Sequence, residues 1–151
     1  MKHRMAIALL SLVGFFVSLY LWLWKIRFLG SLACGDGGCE TVQLSEFSSF
    51  LGFPVALYGM VGYVALAAVS VAGLQPRWVA RRGPTVLLAV VASVGVLFSA
   101  YLTYLEAAVI HAWCRWCVVS AVLITAILVT ALAGLKSMPR TPDTRHLTPG
   151  T

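Results

Sequence analysis

The chain has 151 residues, of which 60% are hydrophobic and only 11% charged, with a formal net charge of +6 and a mean hydropathy of +0.92. A soluble domain carries about 25% charged and about 45–50% apolar residues, so a water-soluble globule is excluded and the bilayer is the expected solvent. The length allows one domain, and the positive charge is distributed as a topology signal that leaves little for a nucleic-acid partner.

Taken in chain order, Met5 to Trp24 is uncharged between Arg4 and Lys25 and gives a first span over about residues 5–27. A cleaved signal peptide has an apolar core of about 7–15 residues, which this stretch exceeds. Ser31-Leu32-Ala33-Cys34 is a poor lipoprotein cleavage site, because the leucine is misplaced and two charges intervene. The connection that follows opens with Cys34-Gly35-Asp36-Gly37-Gly38-Cys39, where the glycines allow tight backbone conformations. Val42, Phe47, Phe50 and Leu51 then alternate with Ser45, Glu46, Ser48 and Ser49, a pattern that predicts a short amphipathic helix in the membrane interface.

The second span covers about 54–74, with Pro54 suited to its first turn. Gln75 to Gly83 is a short basic connection, and the third span covers about 84–106. A brief connection from Glu106 to Trp113 leads to the fourth span, about 114–135. Each span supplies the ~20 apolar residues that cross about 30 Å of hydrocarbon. Residues 1–135 therefore form one four-helix membrane domain. Residues 136–151, with three prolines and several threonines, read as a disordered cytoplasmic tail.

Orientation follows from the basic residues. Lys2, Arg4, Arg77, Arg81, Arg82, Lys136, Arg140 and Arg145, eight of the eleven, fall on one side, which is expected to be cytoplasmic. Lys25 and Arg27 dissent without outweighing them. Both termini are then inside and all four cysteines outside, in a compartment that permits disulfides.

Four cysteines allow three pairings, of which two short-range pairs are the natural reading, and an electron relay would use more than one. Cys114-Arg115-Trp116-Cys117 is a C-x-x-C at the start of the fourth span, and residues i and i+3 share a helix face. The helix dipole, with Arg115 beside it, favours the thiolate that attacks in disulfide exchange. Cys117 sits one turn deeper than Cys114, nearer the hydrocarbon. The first pair lies on a loop read as flexible and free to meet a soluble partner. Inert structural disulfides and a zinc site are the alternatives, and zinc needs reduced thiolates in a compact four-ligand set. No metal is expected.

Cys34 to Cys39, Val42, Ser45, the stretch Phe50-Leu51-Gly52-Phe53-Pro54-Val55-Ala56, Gly59 and the later C-x-x-C together resemble the bacterial branch of the vitamin K epoxide reductase family, over roughly residues 6–135. The DsbB-type quinone-linked thiol oxidases also have four spans and two cysteine pairs, but with C-x-x-C in the first outer loop; here the order is reversed.

The resemblance implies an all-α integral membrane fold: a four-transmembrane-helix bundle around a quinone (ubiquinone or menaquinone), with an extracytoplasmic cysteine loop. It implies that Cys34/Cys39 accepts electrons from a periplasmic thioredoxin-fold, DsbA-like protein. Cys39 then attacks Cys114, and Cys117, facing the quinone, passes the electrons on. Ser45 matches the family's loop serine, which organises the site by hydrogen bonding. With no fifth span, the partner is expected to be a separate protein, and the location is a bacterial inner membrane.

Vertebrate members have a tyrosine four residues after the C-x-x-C, where this chain has Ala121, so simple quinone reduction is expected over epoxide chemistry. A strongly oxidising periplasmic dithiol lies near about −120 mV, within reach of a quinone pool. Glu106 and His111 are candidate proton carriers, although such groups at a helix end are more often solvated. Trp113 and Trp116 read as interfacial anchors. The rival readings are a quinone or vitamin K epoxide reductase whose main product is the reduced quinone, and a disulfide-stapled membrane scaffold or transporter. The latter lacks the intramembrane charges that mark a transport path.

Overall fold

The computed structural model describes residues 1–35 and 37–139. Four long helices make the body: α1 (Lys2–Lys25), α3 (Val55–Ala72), α5 (Gly83–Leu105) and α6 (Arg115–Ser137). Two short helices join them, α2 (Gly38–Leu44) and α4 (Pro76–Val79), and a π turn over Glu106–Ile110 extends α5. At 1.5 Å per residue the shortest, α3, is about 27 Å long, enough to cross the hydrocarbon with its flanks. All four are apolar enough to span a membrane. Prolines open α4 and α5, where a missing N–H costs nothing. The expected tail begins two residues late, since α6 runs to Ser137, and from residue 140 onward it lies outside the described residues.

The helices form a ring in which α1 packs on α3 and α6, and α5 on α6 and α3. Hydrocarbon gives no hydrophobic drive between helices, so close packing must hold them. At Gly14 the Tyr63 ring occupies the place a Cβ would take, which lets α1 and α3 approach closely. Ile7, Leu66, Leu88, Ala92 and Ile127 fill the centre. Outward residues stay apolar, as Leu97 (72% exposed) and Val61 (64%) show, which is the surface a lipid-solvated helix requires.

The amphipathic helix expected around Val42 to Leu51 is shorter and displaced. Helix α2 begins one residue before Cys39, a 3-10 turn covers Glu46–Ser48, and β1 (Ser49–Phe50) pairs antiparallel with β2 (Phe53–Pro54) in a small hairpin. Leu51 and Gly52 at its tip both have positive φ, a conformation no helix contains. The Tyr58 hydroxyl donates to the Phe50 carbonyl (2.9 Å), fixing the hairpin on α3. Its apolar tip, with Leu51 81% exposed, suits the membrane interface.

Arg4, one of the eight topology charges, lies inside α1 and is 3% exposed. Its guanidinium donates to the carbonyls of Gly73, Trp78 (3.2 Å) and Arg81 (2.7 Å) and to the Thr85 hydroxyl (3.0 Å). These acceptors close the ends of α3 and α4, where carbonyls lack intrahelical partners. Arg4 thus latches the end of the bundle opposite the cysteines. Arg4→Ala strips a charged donor from several buried carbonyls, a loss of about 1.5–3 kcal/mol per charge-assisted bond at most. Its detergent-solubilised form should unfold at clearly lower denaturant concentration than the parent, while Lys2→Ala should match it.

Candidate functional site

The chain leaves α1 through Arg27, in a left-handed conformation, and descends to Cys34. Gly35 and Gly37 both have positive φ, which turns the backbone back so that Cys34 and Cys39 close a disulfide with Cα atoms 6.0 Å apart, within the ordinary range. The pair is not the open loop expected from sequence. Cys34 is 2% and Cys39 0% exposed, because both join an apolar cluster with Leu21, Leu32, Val42, Ala56 and Cys114. The covering contacts come from other elements, so loop composition alone could not reveal them.

Gly38, the first residue of α2, lies directly against the Trp113 carbonyl, and a Cβ there would collide with it. The absence of a side chain brings the start of α2, and Cys39 with it, down onto the residue before Cys114. Lys25 secures the other end of α2 by donating to the Gln43 carbonyl and to the Ser48 hydroxyl (2.7 Å). The basic residue that dissented from the topology rule therefore holds the cysteine loop on α1.

Cys114 caps the N-terminus of α6 in an extended conformation, its sulfur accepting the Cys117 N–H (3.3 Å). The two sulfurs are 2.6 Å apart, within easy reach of bond formation. Cys114 is fully buried. Its thiol is held below the ordinary value chiefly by the hydrogen bond from Cys117, with burial acting against it. Arg115, expected to promote the thiolate, is exposed and is not among the causes.

The Glu106–Trp113 connection is not a simple loop. The π turn carries the helix on to Ile110, and His111 ends it in a left-handed conformation. Such wider turns concentrate at functional sites. Here it places Glu106 inside the protein, 3% exposed, where Oε2 accepts the Cys114 N–H (3.1 Å). Glu106 is thus internal and bound to the backbone of a cysteine, while His111 is exposed. Trp113 is 55% exposed, but Trp116 meets Tyr20 in a tilted ring contact at 5.1 Å and packs on the cysteine cluster.

Cys117 packs on that cluster and, with the cluster's Leu21 and Ala56, lines a cavity of about 530 Å³ among the helices, in the range of small-molecule sites. Leu66, Val91, Phe98 and Ile124 are among its apolar walls, and Gln43, Glu106 and Cys117 border it. The Gln43 amide points at the Cys117 sulfur (3.7 Å). Gln43 escaped the sequence reading, although it stands four residues after Cys39 on α2 and so shares its face. Ser120, next to Ala121, borders the cavity and accepts the Tyr63 hydroxyl at its carbonyl (2.9 Å).

Among the described residues, Ser45 makes no hydrogen bond to either cysteine pair. Its hydroxyl donates to the Val42 carbonyl (2.6 Å) at the end of α2, and its own carbonyl accepts from Ser48 (2.8 Å). It shapes the turn that carries Gln43 and lines a second, small cavity. The five sequence candidates therefore resolve into a packed disulfide, a close pair at a cavity mouth, and a serine that organises the turn between them.

A family model described as Vitamin K epoxide reductase family matches residues 5–132. The matched stretch includes both cysteine pairs, Gln43 and Glu106.

With Cys34–Cys39 oxidised and the other pair reduced, a small alkylating agent should modify Cys114 with a midpoint below the ~8.5 of a free thiol. Cys117→Ala removes the donor that lowers it, so the midpoint should rise; an unchanged midpoint would show that another group sets it.

Proposed function

The chain belongs to the vitamin K epoxide reductase family, an oxidoreductase family; from that premise we propose that it is a membrane thiol:quinone oxidoreductase that reoxidises a periplasmic thioredoxin-fold, DsbA-like protein. The observation that carries this reading is the position of Cys117, which packs on the cysteine cluster and alone of the four cysteines lines the large apolar cavity. The cavity's size and apolar walls fit a quinone ring, and Gln43, Glu106 and Cys117 supply polar atoms at its cysteine end. Those residues, with Phe98 and Tyr63, would hold the ring. When bound, ubiquinone or menaquinone supplies an acceptor for two electrons and two protons.

The chain's own part is thiol–disulfide exchange. The donor's thiolate attacks the Cys34 sulfur, and Cys39 leaves as a thiolate. Cys39 attacks the Cys114 sulfur of an oxidised inner pair, and Cys117 leaves as a thiolate beside the cavity. The donor's second thiolate closes its own disulfide and frees Cys34. Cys34 then attacks Cys39, which re-forms the loop disulfide and releases Cys114. Two electrons now rest on Cys114 and Cys117, and they leave to the acceptor as the two sulfurs rejoin. Because Cys34 and Cys39 are covered when oxidised, the glycine-rich turn must open for the donor. Packing against the membrane domain thereby limits access by other thiols.

The basic end, with both ends of the described helical bundle, faces the cytoplasm in this reading, and the cysteine end faces the periplasm of a bacterial inner membrane. Anaerobic reduction of added quinone by a reduced thioredoxin-fold donor tests the function. Turnover of the quinone should exceed that of its epoxide; the reverse would favour epoxide reduction as the activity. Cys117→Ala should abolish quinone reduction and accumulate a Cys39–Cys114 crosslink, whereas full activity in this variant would rule out the relay. In the same background, Gly38→Ala should slow crosslinking by roughly 10²-fold, since misplacement by about 1 Å costs that much.

A further inference from the structure

Glu106 borders two cavities at once. One is the large apolar cavity; the other, about 30 Å³, is lined by Gln43, Ser45, Ser48, Glu106 and Cys117 among others. A volume above about 10–15 Å³ with several polar partners can hold a water, and this one has two hydroxyls, an amide and a carboxyl in its wall. Phe47, also in the wall, is 41% exposed, so the wall of the small cavity reaches the protein surface. The large cavity's walls are mostly apolar.

We propose that Glu106 is the proton relay of this site, joining the small water-sized cavity to the reacting end of the large one. The proposal rests on the quinone reading above. Oxidation of the inner pair by a quinone converts two thiols and the quinone into one disulfide and a quinol, so two protons must arrive where two electrons do. The Cys117 thiolate released by the relay first takes up a proton through the small cavity. The carboxylate of Glu106 then takes that proton from the Cys117 thiol as the sulfur gives up its electrons and delivers it to the acceptor. The Cys114 proton has gone to the aqueous side, and an equivalent proton returns through the small cavity and Glu106. Electrons and protons then balance with no further reactant.

Among the described residues, the charged and titratable groups around this carboxyl are few. Cys114 and Cys117 face it from α6, and Lys25 of α1 reaches the same turn through Ser48. His111, at the end of the π turn, is exposed. The bond from the Cys114 N–H also gives Glu106 a structural duty, and the conservative variant separates the two. Glu106→Gln keeps a carbonyl oxygen to accept that N–H but cannot carry a proton.

The experiment has two readouts. First, oxidation of the reduced inner pair by a short-chain quinone is followed in single turnover against pH. Glu106→Gln should slow it by roughly 10²–10⁴-fold and remove the fall in rate on the acid side, where the carboxyl of the parent becomes protonated and can no longer accept. Glu106→Asp should restore part of both, and crosslinking of Cys39 to Cys114 in the Cys117→Ala background should stay near the parent rate. Second, infrared difference spectra are recorded while diamide oxidises the inner pair without quinone. The parent should show a change in carboxyl protonation that Glu106→Gln lacks.

An unchanged rate and pH profile in Glu106→Gln overturns the relay. So does a carboxyl signal absent from the parent or retained by the variant, including when the variant also loses crosslinking. If quinone fails to oxidise even the parent, the thiol:quinone reading falls instead, and the infrared signal still decides whether Glu106 moves a proton.

Discussion

A bundle solvated by hydrocarbon must pair the polar groups it buries with others of its own, since no water is there to do so. That constraint shapes both ends of this protein. At the basic end Arg4 gathers the terminal carbonyls of α3 and α4 and the Thr85 hydroxyl, turning a potential liability into a latch. At the other end Lys25 holds the Gln43 carbonyl and Ser48, the Gln43 amide meets Cys117, and Glu106 takes the Cys114 N–H. The second set is a chain of contacts in which each polar group fixes the next, and the cysteines are members of it.

The two cysteine pairs differ in what surrounds them. Cys34, Cys39 and Cys114 share one apolar cluster, with Gly38 removing the bulk that would keep α2 away from Trp113. Cys117 is packed against that cluster but also borders the cavity. In the proposed relay, exchange between sulfurs needs contact and a thiolate, and Cys39 and Cys114 belong to one cluster. In the same proposal, electron delivery needs an acceptor held beside a sulfur, and Cys117 alone of the four borders the large apolar cavity. A single helical turn between Cys114 and Cys117 separates these two environments.

Most of the architecture was legible in the sequence. Uncharged runs bounded by Arg4 and Lys25, or by Arg82 and Glu106, mark helices because a charge in hydrocarbon is costly. The C-x-x-C at the start of α6 was legible for a similar reason, since a helical turn brings residues three apart onto one face. The interfacial helix was misplaced because its apolar spacing continued through Leu51, whose positive φ, like that of Gly52 after it, periodicity does not report. Glu106 read as a solvated helix end because the α-helical pattern gives no warning of a π turn. Lys25 read as a dissenting charge because its partners, Gln43 and Ser48, lie 18 and 23 residues away.

The sequence by itself determined a four-span membrane protein with two cysteine pairs in a family-specific order, because hydropathy and local spacing act along the chain. The tertiary structure alone decided that the loop disulfide is buried, that Gln43 and Glu106 flank Cys117, and that a cavity opens beside it. Those features are made by contacts between helices distant in sequence. In a dry interior such contacts are where the unpaired polar groups of each segment find their partners.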